Sequence, residues 1–334
     1  MTRRNSPTIY DVAKLAGLSV STVSRVLNSS ERLSEETREK VLAAIDQLHY
    51  VPRADARARA LPGNRRIGVL TPFFTAPSFV QRLRGIAAAL DDPAFELIIY
   101  PVHSLKRLKG YLAALPITHS LDGLITLSLP IDAEDSSRLT GHHLETVSIE
   151  YRRDEISSVE IDDFSGGQQA ARYLLQKGHR KLAFMGDLNP PNYAIRPVCA
   201  RLKGFKYGLE EASLALPDDY CLSASFDQAS SRQAARQLLC MPEPPTAIFA
   251  AADNQAAAVI KAAHELGFRI PQDLAVIGFD DVEFADYLGL TTINQHLDES
   301  GRIAVELLLG RMSEADRPVQ HVSLPLTIVE RGTV

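Results

Sequence analysis

None of the residue spacings that mark the common catalytic chemistries occurs in this sequence. There is no G-x-S-x-G for an activated serine, no P-loop, no G-x-G-x-x-G, and the nine histidines include no H-E-x-x-H or other metal spacing. Cys199, Cys221 and Cys240 are odd in number and lack a C-x-x-C pair, so neither a disulfide framework nor a structural zinc site is indicated, and no cofactor is expected. His142-His143 reads as a solvated loop pair. The chemistry that the residue types do support is attraction of phosphates. Residues 1–66 hold 12 Lys/Arg against 7 Asp/Glu, whereas residues 67–334 hold 24 against 34, which sets a basic front end on an acidic body. Such an asymmetry lets one face alone approach a nucleic acid.

Two kinds of element must position these charges. Residues 8–50 read as three short helices. Thr8 stands three residues before Asp11, a capping-box spacing, and Ile9, Val12, Ala13 and Ala16 form an apolar stripe that Gly17 ends. Ser19 can cap a second helix in which Val23, Val26 and Leu27 face inward, leaving Val20, Ser21, Thr22 and Arg25 on the outer side. Ser34 opens a third, with Val41, Leu42, Ile45 and Leu48 inward and Pro52 at its limit. From Ile67 the pattern changes to short apolar runs at Ile67–Leu70, Glu96–Val102, Asp122–Leu127, Thr146–Glu150, Lys181–Met185, Thr246–Ala250 and Leu274–Phe279, mostly separated by helical stretches. Continuous apolar strands alternating with helices predict an α/β core of parallel sheets covered on both faces, and their number suggests two lobes. Ligands of open sheets bind beyond the carboxyl ends of strands. That rule selects Pro72–Phe79, Gly186–Arg196, Ala252–Gln255 and Phe279–Glu283 as the rim.

The string Thr8-Ile-Tyr-Asp-Val-Ala-Lys-Leu-Ala-Gly-Leu-Ser-Val-Ser-Thr-Val-Ser-Arg-Val-Leu-Asn28 resembles the helix-turn-helix of the LacI/GalR family of bacterial transcription regulators. The likeness continues through His49-Tyr-Val-Pro52, Gly178-His-Arg180, Arg201-Leu-Lys-Gly-Phe205, Val276-Ile-Gly-Phe-Asp-Asp281 and Thr291-Thr-Ile293, and so covers essentially the whole chain. It implies a cytoplasmic repressor that binds a palindromic double-stranded operator as a homodimer, with a core like that of periplasmic sugar-binding proteins. A helix-turn-helix domain at 1–51 and a hinge at 52–65 would precede a core at 66–334. In that core the N-lobe is expected at about 66–162 and 293–319, the C-lobe at about 163–291 and 320–334. Val20 and Ser21 would meet base edges and Arg25 a guanine or phosphate, while Thr8, Thr22, Ser24 and Asn28 position the module on phosphates. Correspondence in the core nominates Ser78, Phe79, Arg201, Phe226, Asp253 and Asp280, with Glu150 where aspartate is frequent, for a small polar effector, a sugar or sugar derivative favoured. Plainer readings stand beside these: Phe79 and Phe226 as core aromatics, Asp253 as a helix N-cap, Arg201 with Asp280 as an internal ion pair. A regulator answering to a protein partner is the alternative function. No apolar run is long enough to span a bilayer, so no membrane partner is expected.

The hinge departs from the family pattern. It reads Pro52-Arg-Ala-Asp-Ala-Arg57-Ala-Arg59-Ala-Leu61, so Arg59 occupies the place of the leucine that normally wedges into the minor groove, and Leu61 lies two residues on, about 200° around a helix. With Arg59 in the groove, Arg59→Leu should lower the salt slope of operator binding by about one and increase DNA bending. With Leu61 as the wedge, Leu61→Ala should abolish bending and Arg59→Leu leave it unchanged. A bend-angle assay on both variants decides, and unchanged bending in both would make the segment a plain linker, with the operator read by the helix-turn-helix alone.

Overall fold

The computed structural model describes residues 7–28, 34–48, 50, 65–225, 227–314 and 316–334, the side chains of Leu27, Asn28 and Glu35 aside. Three helices lead: α1 (Ile9–Ala16), α2 (Val20–Asn28) and α3 (Glu35–Leu48). Their starts follow from local hydrogen bonding. The Asp11 carboxylate accepts from the Thr8 amide at 2.8 Å and the Thr8 hydroxyl at 2.7 Å, while Gly17, at φ +67°, ends α1 in the left-handed region that glycine tolerates. Ser19 Oγ accepts from the Thr22 amide at 3.1 Å and Ser34 Oγ from that of Thr37 at 3.3 Å. The inward stripes converge on Val12, Ala13, Val23, Val41, Ala44, Ile45 and Tyr50. Each buried aliphatic of this kind contributes roughly 1.5–3 kcal/mol against exposure.

The first sheet is built from β1 (Arg65–Thr71), α4 (Pro77–Ala89), β2 (Phe95–Pro101), α5 (Leu105–Thr118), β3 (Gly123–Leu127), α6 (Ala133–Gly141), β4 (Glu145–Ile149) and β5 (Ser157–Ile161). The second follows with α7 (Asp163–Gln176), β6 (Leu182–Gly186), α8 (Pro197–Glu210), β7 (Cys221–Ser223), α9 (Gln228–Leu239), β8 (Ala247–Ala250), α10 (Asp253–Glu265), β9 (Ala275–Ile277) and α11 (Glu283–Tyr287). The chain then returns through β10 (Thr292–Asn294), α12 (Leu297–Ser313), β11 (His321–Leu324) and β12 (Thr327–Val329). Strand order is β11-β5-β4-β3-β1-β2 in one parallel sheet and β7-β6-β8-β9 in the other, with β10 and β12 antiparallel at the crossings. All seven apolar runs picked out by periodicity are strands. β5 was not among them because Ser-Ser-Val-Glu-Ile is too polar to stand out. β11 also corrects the lobe boundary drawn at 320: His321–Leu324 pairs with Ser158–Ile161 in the first sheet, so the last crossing comes after Leu324.

Close helix packing holds the two lobes' cleft-facing helices in place. A Cβ on Gly167 of α7 would lie 1.9 Å from the Arg201 carbonyl on α8, and one on Gly301 of α12 would lie 2.3 Å from the Arg82 carbonyl on α4. In each lobe, therefore, the backbone carrying a buried arginine rests directly against a glycine.

The helix-turn-helix domain is docked on the first lobe. Ile117 of α5 completes its apolar cluster, Arg38 Nη2 donates to the Gly110 carbonyl at 3.1 Å, and Asp46 faces both Arg138 and His142 at 3.1 Å. His142 is thus no solvated loop residue, since the docked third helix brings a carboxylate to it. Gly167→Ala and Gly301→Ala should each destabilise the core by roughly 1–3 kcal/mol, because backbone rather than a movable side chain occupies the space. Denaturant unfolding of the two variants checks this.

Candidate functional site

Between the two sheets lies an open-mouthed cleft. All four rim segments expected from the strand-end rule contribute to it. From the first lobe come Phe73, Ser78 and Phe79 beyond β1, Arg82 on α4, Ser128 beyond β3 and Glu150 beyond β4. The second lobe supplies Asp187 and Ile195 after β6, Arg201 on α8, Gln255 on α10 and Asp280 beyond β9, and the crossing after β10 supplies Gln295. Backbone strain marks the same places: Ser128, Glu150 and Asp280 have φ of +51°, +69° and +122°. Non-glycine residues hold such angles only where the surroundings fix them.

Charged and amide side chains run across the cleft floor without a break. Glu150 accepts from Arg82 and from the Ser128 hydroxyl. Arg82 Nη2 also donates to Gln295 Oε1 at 2.8 Å, and Gln295 Nε2 donates in turn to Asp280. Asp280 lies 3.7 Å from Arg201 Nη1, while Arg201 Nε donates to Asp163 at 2.8 Å and Nη1 to the Ala251 carbonyl at 2.6 Å. The Arg201 guanidinium stacks on the Phe279 ring at 3.6 Å. Arg82, Arg201 and Asp280 are 3%, 5% and 7% exposed, so none of these charges is balanced by water.

The environment sets the acidities. Burial alone would raise Glu150, but the facing Arg82, helped by Ser128 and Arg201, outweighs it and holds the carboxyl below its ordinary value. Burial raises Asp163 in spite of Arg201. Asp280 is pushed up to about 6, chiefly by burial, with Arg201, Arg82 and the Gln295 hydrogen bond opposing.

Of the nominated core residues, Ser78, Phe79, Glu150, Arg201 and Asp280 meet around this cleft. Phe79 also belongs to the core, packed edge-on against Phe73 at 5.8 Å. Asp253 does not line the cleft, nor is it the N-cap. Helix α10 begins one residue earlier than that reading needs, with Ala252 as cap, and the fully buried Asp253 carboxylate accepts from the Val282 amide at 2.9 Å and the Thr292 hydroxyl at 2.5 Å. Phe226 falls outside the described residues. Sequence reasoning passed over Arg82 and Gln295, and placed Gln255 in a rim segment without nominating it as a ligand contact. A signal existed for Gln255, the one amide on the Gln255–Val259–Ala262 stripe of an otherwise apolar helix face, buried throughout. Nothing local singles out the other two.

On α2, Ser21 and Arg25 are exposed, whereas Val20, Thr22 and Ser24 are half-buried. Ser19 Oγ lies 2.8 Å from both Ser21 Oγ and Thr22 Oγ1, and the Thr8 hydroxyl is engaged by Asp11, so Arg25 is the exposed cation of this face. Asn28's side chain and the hinge residues Arg57, Arg59 and Leu61 lie outside the described residues.

The raised Asp280 carboxyl has a stability consequence. Between about pH 4 and 6 the folded state keeps a proton that the unfolded chain, at 3.8, has released. The stabilisation is complete below about pH 4 and is lost as pH rises through 6. Asp280→Asn should flatten this part of the stability profile, removing a fall of up to about 3 kcal/mol, as read by urea unfolding at a series of pH values.

Comparison with known proteins bears on both parts of the chain. Residues 8–53 match the family model described as bacterial regulatory proteins, lacI family, and residues 171–334 that of the periplasmic binding protein-like domain. The HTH-type transcriptional repressor PurR of Erwinia tasmaniensis is 33% identical over 334 residues, covering 98% of this chain and 96% of the relative; that of Yersinia enterocolitica is 34% identical with the same coverage. Among solved structures, the regulator CelR in complex with cellobiose superposes with a TM-score of 0.69 at 28% identity, covering 98% of this chain and all of the other. The Lac repressor bound to ONPG gives 0.69 at 27%, covering 99% of this chain and all of that one. A LacI-family regulator from Enterococcus faecium with bound ribose gives 0.71 at 29%, covering 81% of this chain and 98% of the other. The chain belongs to the LacI family and is a DNA-binding transcription repressor with an effector-binding domain of the periplasmic-binding-protein kind, not an enzyme.

Proposed function

We propose that this repressor binds a two-fold symmetric operator as a homodimer and that a small carbohydrate-like metabolite, held between the lobes, sets its affinity for DNA. The observation that carries the reading is the cleft floor, where hydrogen bonds from Arg82 to Gln295 and from Gln295 to Asp280, and a 3.7 Å ion pair between Asp280 and Arg201, join both lobes and the crossing segment in one run. A ligand at that run touches both lobes at once. By linkage, whatever it does to DNA affinity, DNA does equally to its own. Arg201 and Asp280 serve as its polar anchors, with Phe73 and Phe79 as an apolar wall. Structures of similar regulators with cellobiose and with ribose support the carbohydrate class. Exposed apolar side chains support self-association: Val80 on α4, Ile99 on the edge strand β2, and Tyr287 and Leu288 at the end of α11.

On DNA, Arg25 is the residue placed to read a base or grip a phosphate, with Val20 and Ser21 beside it at the start of α2. Two such helices related by a dyad require an inverted repeat. Arg25→Ala should weaken operator binding by roughly 1–3 kcal/mol while leaving random-sequence binding much less affected, as measured by gel shift at fixed salt. Equal losses on both DNAs would make Arg25 a phosphate contact. Sedimentation should give a dimer, and a stable tetramer would refute that assembly.

A further inference from the structure

Residues 187–196, between β6 and α8, leave the second lobe and touch the first. Their base is fixed on the second lobe, where the Leu188 amide and Asn189 Nδ2 donate to Ser223 Oγ on β7 at 3.3 and 3.4 Å. Their tip crosses over. The Ile195 amide donates to the Ser128 carbonyl beyond β3 at 3.1 Å, and Tyr193 joins the first lobe's apolar cluster that includes Leu129, Ile131 and Tyr151. The Tyr193 ring also lies 6.4 Å from that of Phe73, within the range of favourable aromatic pairs. Between base and tip the chain is stiff, because Pro190 and Pro191 fix their φ angles and the Ala194 amide closes a turn onto the Pro191 carbonyl at 3.2 Å.

The receiving residue is held as firmly. Ser128, at φ +51°, donates its amide to the Ile149 carbonyl at 3.0 Å and its hydroxyl to Glu150, so its carbonyl cannot follow a retreating strap. Other ties between the lobes are of a different kind. The floor run passes from Arg82 to Asp280 through Gln295, which stands on the crossing segment between β10 and α12, where the chain already joins the lobes. Arg84 reaches Glu283 of the second lobe directly at 3.1 Å, but their side chains are 54% and 67% exposed, and water screens the pair. The strap instead joins lobe to lobe through Tyr193 and Ile195, both half-buried. We propose that residues 187–196 form a strap that latches the two lobes together, and that the lobes part only when Tyr193 and Ile195 let go of the first. Every atom of the latch belongs to the chain, so it needs no ligand to form, and its test stands apart from the reading of the cleft as an effector site. Pro190, Ala194 and Ile195 line the cleft, so release of the strap also opens one of its walls.

Hydrogen exchange read by mass spectrometry on the full chain, with no ligand added, tests the latch. Peptides from 187–196 should exchange at least about tenfold more slowly than a free peptide of the same sequence. Tyr193→Ala should release the tip and raise that rate about tenfold, whereas Tyr193→Phe, which keeps the ring, should stay near wild type. X-ray scattering on the same proteins reads the lobes: the radius of gyration should rise in Tyr193→Ala and not in Tyr193→Phe. Because the sequence contains no tryptophan, Tyr193→Trp supplies a single independent reporter. Acrylamide should quench it several-fold less than free N-acetyltryptophanamide, and adding Ile195→Pro, which deletes the donor N–H, should remove that shielding. Melting curves identify the variants that fold. A wild-type strap that exchanges as freely as the peptide, a strap still protected in both folded release variants, or a freed strap with unchanged scattering each overturns the proposal.

Discussion

The cleft floor is governed by the rule that charge removed from water must be matched by charge or hydrogen bonds. Glu150, Arg82, Gln295, Asp280, Arg201 and Asp163 come from separate segments of the chain, yet each satisfies the next. Removing one member of a buried pair typically costs about 3–5 kcal/mol, because the other is left uncompensated. The lobes therefore cannot slide freely past one another. Any change in their relative position must exchange these bonds for others of equal quality, and an entering ligand offers such an exchange. The left-handed backbone at Ser128, Glu150 and Asp280 is the local cost of bringing the groups into register.

What holds the floor from behind is close packing. The helices bearing Arg82 and Arg201 lie at backbone distance from their neighbours, at Gly301 and Gly167 respectively, so neither helix can shift without its neighbour. The first lobe is then a rigid plate with two working sides. Strand ends of its sheet present Ser128 and Glu150 to the cleft. On one face α4 and α12 enclose an apolar layer, and on the other α5 and α6 enclose a second. The second pair also carries Gly110, Ile117, Arg138 and His142, which receive the helix-turn-helix domain. Cleft and DNA-binding domain thus meet opposite parts of one body, which is the physical requirement for their affinities to be linked.

Much of this organisation could be read from the chain. Thr8, Ser19 and Ser34 announce the three leading helices because capping is a matter of three or four residues, and the stripe from Val12 to Ile45 follows from helical period alone. The seven apolar runs declare themselves as strands since parallel strands buried on both faces need no alternation. Even the rim segments follow, because strand ends in such sheets define where a cleft can be.

Long-range pairing was not legible, for an equally physical reason. Arg82 and Glu150 lie 68 positions apart, and Arg82 and Gln295 lie 213 apart, so no local period relates them. Asp253 looks like a ligand or a cap until the fold brings Val282 and Thr292 to it, and His142 looks solvated until Asp46 arrives from another domain. The polar strand β5 becomes a strand only because β4 and β11 flank it. Sequence by itself determined the three leading helices, seven of the strands with their order, and the family, since these are set by residue type at short spacing. Which charges are buried together, and hence what the cleft can accept, was decided only by tertiary structure, because the energy of a buried charge depends on neighbours that the chain's own order does not specify.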